Sequence, residues 1–183
     1  MCKLNSFDLK ILQLHWLKEG EEEANKDDLC AHGSLYIRIG EQILSDTSSG
    51  SWTLSATALY LMKTVFQNYK IGDFHNQLVP CCGHFFIPAD DGNSVFITGC
   101  PKGIDWNIEH LSDNRVKHST KEGAEGYITL EKYKELVVDF VKAIELFYRK
   151  SLPKNTPTDD FEKAGYKAFW KEWKTLKNAL TSQ

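Results

Sequence analysis

A chain of 183 residues, 42% hydrophobic and 26% charged, has the size and composition of one globular domain that can bury a core without staples. Its net charge of −3 excludes the basic footprint of a general nucleic-acid binder, and no apolar run reaches the roughly 20 residues of a membrane helix. Residues 1–30 are broken by Lys3, Asp8 and Lys10 and hold no signal-peptide core, so five cysteines, an odd number, point to reduced thiols in a cytoplasm.

The first predicted element is a strand over Phe7 to Trp16. Leu9 and Ile11 lie on one face and Leu12, Leu14 and Trp16 on the other, a pattern for burial on both sides. The acidic stretch GEEEANKDD follows as a solvated connector. Leu35, Ile37 and Ile39 then alternate with Tyr36 and Arg38, and Gly40-Glu41 turns that strand into Gln42-Ile43-Leu44. After a Ser/Gly-rich loop, Leu54 to Tyr69 has helical spacing, with an apolar arc broad enough for a deeply packed helix.

Residues 84–118 predict a four-strand antiparallel meander. Its first hairpin runs from His84-Phe85-Phe86-Ile87-Pro88 into Ser94-Val95-Phe96-Ile97-Thr98, with Asp90, Asp91, Gly92 and Asn93 supplying the reversal. If Ala89 faces Asn93, Cys82 falls opposite Cys100 and His84 opposite Thr98. Side-chain alternation then puts Cys82, His84, Thr98 and Cys100 on one face, and a slip of one residue destroys the cluster. Ile104, Trp106, Ile108 and His110 alternate with polar residues in the next strand, and Asp113-Asn114 leads into the last, Arg115 to His118. The remainder reads as helical. Thr129 caps a helix to about Lys150, and Asp159 with Glu162 starts a final one striped by Tyr166, Phe169, Trp170, Trp173, Leu176 and Leu180.

The expected fold is a single α+β domain over residues 1–183. It has a mostly antiparallel sheet of six or seven strands, one helix inserted after the third, and two long C-terminal helices packed against it.

The chemistry-bearing residues are Cys30 and His32, repeated as Cys82 and His84, with Cys81 and Cys100 near the second pair. Thiolate and imidazole suit zinc, so Cys82, His84, Cys100, Cys30 and His32 are the candidate metal set. Neither pair has the spacing of a zinc ribbon or finger, and buried, inert cysteines are the commoner outcome, so no cofactor is expected. Redox pairing of Cys82 with Cys100, or a nucleophilic cysteine beside His84, is the thiol alternative. Asp105 is placed to orient His84 or His110, or to accept amides of its own turn. The lysines at 163, 167, 171 and 174 read as a solvated helix face.

No Walker loop, G-x-G-x-x-G, H-E-x-x-H or G-x-S-x-G is present. The functional expectation is a small cytoplasmic, bacterial-type binding protein. Its specific form is immunity-like, inhibiting a toxin partner through acidic surface at Glu21-Glu22-Glu23 or Asp90-Asp91. The alternative is a metal- or thiol-dependent protein or enzyme centred on Cys82, His84 and Cys100.

Overall fold

The computed structural model describes residues 5–17, 24–81 and 85–182. Strands β1 (Phe7–His15), β2 (His32–Ile39), β3 (Gln42–Ser45) and β4 (Trp52–Thr53) lead into helix α1 (Leu54–Thr64). After it come β5 (Phe85–Pro88), β6 (Val95–Thr98), β7 (Asn107–His110), β8 (Arg115–Ser119) and β9 (Glu125–Thr129). Helices α2 (Leu130–Lys150) and α3 (Asp160–Thr181) complete the chain. The class is α+β, and among the described residues every strand pairing is antiparallel and the nine strands form three sheets rather than one.

In the first sheet β2 is central, with β1 on one edge and β3 and β4 sharing the other. Leu35, Ile37 and Ile39 are fully buried, as their alternation demands, and Gly40 makes the turn with φ of 61°. β1 is not buried on both sides. A bulge lies between Ile11 and Gln13, Leu12 is 43% exposed, and Leu14 and Trp16 are only half-buried, so the second apolar face is covered in part.

The predicted meander is broken after its first hairpin. β5 and β6 pair only with each other, while β7, β8 and β9 form a separate sheet. Sequence reading missed β9 because Glu125-Gly126 dilutes its alternation. The strand is held through Ser6, whose amide donates to the Tyr127 carbonyl (3.0 Å) and whose own carbonyl accepts from Gly40 (2.7 Å). A Cβ on Gly126 would lie 2.5 Å from the Ser6 carbonyl oxygen, so glycine permits that seam.

The hairpin register also differs from expectation. Phe85, not His84, faces Thr98, and Ala89 donates to Ser94 rather than facing Asn93. The four residues Asp90 to Asn93 therefore make the turn, one more than the expected loop, so the register of the described hairpin residues is shifted by one from the expected pairing.

α1 ends at Thr64 instead of reaching Tyr69, and nearly all of its side chains are buried. Leu54, Leu59, Leu61 and Met62 are fully covered, so this helix is an axis of the core rather than an amphipathic cover. Two of its buried hydroxyls bond within the helix region: Thr57 donates to the Thr53 carbonyl and Thr64 to the Leu61 carbonyl. α2 adds Tyr133, Val137, Phe140, Val141 and Ile144, and α3 adds Ala168, Phe169, Trp173 and Leu180. Both N-caps are as predicted. Thr129 accepts from Lys132 N, and Asp159 accepts from the amides of Phe161 and Glu162.

Candidate interaction surface

The β5–β6 hairpin has two unequal faces. Inward, Phe86 packs its ring 4.8 Å from that of Phe169, and Val95 and Ile97 are buried. A Cβ on Gly165 would fall 1.8 Å from the Phe86 carbonyl oxygen, so α3 meets the hairpin backbone directly at this glycine. The Ile97 carbonyl accepts from Tyr60 Oη (3.1 Å) and Asn76 Nδ2 (3.0 Å), and Val95 N donates to Glu172 (3.0 Å).

Outward, alternation presents Phe85 and Ile87 from β5 and Phe96 from β6. Ile87 faces Phe96 across the ladder, Phe85 is 62% exposed and Phe96 50%. Two exposed phenylalanines on a hairpin whose inner face is well anchored make this face the candidate interaction surface.

Carboxylates stand at both ends of this face. At the tip Asp90 and Asp91 are exposed. Asp91 accepts from the amide and side chain of Asn93, which hold its pKa below the ordinary carboxylate range. At the base, Phe85 and Phe86 border a cleft of about 380 Å³ shared with Leu17, Asp27, Asp28 and Glu162. Leu17 is 63% exposed, and Phe161, next to Glu162 at the start of α3, is 52% exposed. Burial would raise the pKa of Asp28. Contacts with His32 and the amides of Leu17 and Cys30 outweigh it, so the carboxylate stays charged well into acid.

Of the sequence-predicted site residues, Cys30, His32 and Cys100 lie among the described residues. Cys82 and His84 lie outside the described residues, as do Glu21, Glu22 and Glu23. Cys100 is joined to Cys81 in a disulfide, so the expectation of reduced thiols does not hold at this pair, and the neighbour of Cys82, not Cys82 itself, is its partner. Cys30 is a fully buried free thiol whose pKa is pushed up by burial, which makes it a poor nucleophile. His32 is buried 3.4 Å from Asp28, with the His15 ring 6.4 Å away. Among the described residues no group of three His, Cys, Asp or Glu side chains is arranged to hold a metal ion.

Asp105 takes the structural role. It accepts from Tyr69 Oη (2.9 and 3.0 Å) and from the amides of Leu78 (3.2 Å) and Gly72 (3.3 Å), tying the loop after α1 to the strand leading into β7. His110 is engaged elsewhere, with Nε2 2.8 Å from the Thr64 carbonyl.

The exposed phenylalanines were legible as strand residues but not as surface, because only the register and the docking of α3 decide which face is covered. Comparison with known proteins returns no family model, no curated protein and no solved structure that matches the chain. No helix among the described residues is long and apolar enough to cross a membrane.

Proposed function

We propose that the chain is a small cytoplasmic binding protein of the immunity type, which inhibits a basic toxin by covering it with the outer face of the β5–β6 hairpin. The observation that carries the reading is the pairing of exposed Phe85 and Phe96 with carboxylates at either end of their face. Aromatic anchors supply the buried centre of such an interface, and the acidic ends steer a basic partner and fix its register. The rigid seating of the inner face on α3 presents the anchors without a large ordering cost.

The test is co-expression with the product of the neighbouring gene, followed by measured binding. Phe85→Ala and Phe96→Ala should each weaken a wild-type complex by about 2 kcal/mol or more, acting on dissociation. Asp90→Asn with Asp91→Asn should slow association and flatten its salt dependence. A complex indifferent to all four changes refutes the assigned face.

The second reading is a thiol- or metal-dependent protein. The Cys81–Cys100 bond favours its thiol form, because Cys82 follows Cys81 directly and exchange between neighbouring sulfurs needs no outside thiol. Stoichiometric zinc in the purified protein, lost in Cys82→Ser, would favour its metal form instead.

A further inference from the structure

We propose that a second site, the cleft between the end of β1 and the segment following α2, binds a small aromatic anion, a site separate from the hairpin surface. The cleft measures about 470 Å³, within the range of small-ligand sites, and its lining includes Trp16, Phe147, Leu152, Pro153, Lys150 and Lys154. Trp16 and Phe147 stack with centroids 4.6 Å apart and form one continuous aromatic wall. Leu152 and Pro153 supply an aliphatic wall, and both are exposed. A ring of one or two fused cycles fits such a space and gains by leaving water.

The polar groups of the cleft select the charge. Lys154 Nζ sits 3.0 Å from the Trp16 ring centroid and donates to the Asn25 carbonyl (2.7 Å), which fixes the ammonium at the cleft. An ammonium has three donors, so this bond leaves it capacity for an anion. Among the described residues no carboxylate forms an ion pair with Lys154 or Lys150. The nearest helix end does not oppose an anion strongly: the Tyr148 carbonyl at the end of α2 is taken by the amide (3.2 Å) and hydroxyl (2.8 Å) of Ser151. The cleft thus offers an apolar face for a ring and two lysines, neither ion-paired with a carboxylate among the described residues, for a carboxylate, sulfonate or phosphate.

Fluorescence titration of the intact chain with anilinonaphthalene sulfonate tests this, with the uncharged phenylnaphthylamine as control. Saturable one-site binding is expected, weakened by salt. Lys154→Gln, or Lys150→Gln where the first variant fails to fold, should each raise the Kd about tenfold, the scale of one charge-assisted hydrogen bond. Phe147→Leu should weaken the sulfonate and the uncharged control alike. Phe85→Ala and Phe96→Ala should leave both unchanged. No saturable binding, equal binding of both probes with no lysine effect, or loss of binding in the hairpin variants would each overturn the proposal.

Discussion

Among single residues, His118 shows most directly how the core restricts chemistry. Its ring is fully buried, stacks on Phe7 with centroids 3.6 Å apart, and accepts the Trp106 indole N–H at Nδ1 (2.9 Å). That bond requires the neutral tautomer protonated at Nε2. Burial lowers its pKa from 6.5 to about 3. The unfolded chain therefore binds a proton that the folded chain refuses, and the stability contributed above pH 6.5 is lost as pH falls toward 3. Urea unfolding followed from pH 7 to pH 4 should show this loss. His118→Phe should flatten the slope in that window while lowering stability at pH 7 by about 1–3 kcal/mol, because Trp106 loses its acceptor. An unchanged slope would show that other groups govern acid sensitivity.

At the level of elements, the contact between α3 and β5 hangs on Gly165. Gly165→Ala would thrust a methyl group into the Phe86 carbonyl, a backbone atom that cannot swing aside. A loss of about 2 kcal/mol or more is expected in thermal or chemical unfolding, although alanine is the better helix former by about 1 kcal/mol. A stabilised variant would mean that the hairpin moves freely on the helix. The disulfide makes a second claim on the same region. Cys81 and Cys100 are 19 residues apart in sequence, so removing their bond should cost about 3 kcal/mol on the loop-closure model. Thiol titration of denatured, unreduced protein checks the pairing: Cys82→Ser should remove one reactive thiol, whereas Cys100→Ser should add one by freeing Cys81.

These elements also show where sequence patterns suffice. The helices after Thr129 and Asp159 and the alternation of β2 could be read because caps and period-two burial are local signals. The sheet organisation could not, since β5–β6 and β7–β8 look alike in sequence and differ in their tertiary partners, α3 on the first pair and β9 beside the second. The hairpin register was missed for a related reason. One extra turn residue moved the register, and no local signal distinguishes a three-residue loop from a four-residue one when Asp, Gly and Asn fill both.

For the whole molecule, the buried residues form one cluster to which both sheets of three or more strands, the hairpin and all three helices contribute. Trp173 within it donates to Glu145 on α2 (3.1 Å), and Lys177 pairs with the same carboxylate (2.7 Å). Removing everything after Ser151 would strip Phe169, Trp173 and Leu180 from α1 and α2 and expose the inner face of the hairpin. A fragment 1–151 should therefore lack a cooperative melting transition and bind hydrophobic dyes. A sharply melting fragment would establish that α3 is an accessory to an independent core.

The burial of α1 on every side also sets an order of events during synthesis. Residues 54–64 leave the ribosome early, yet part of their cover is α3, whose residues follow about a hundred positions later. The helix can form at once from local contacts, but the newborn chain must hold an apolar rod uncovered while the intervening strands emerge. Its vulnerability to clumping is therefore temporal. Slowing translation between α1 and α3 lengthens the exposure, and chaperone dependence belongs to that interval rather than to the finished protein.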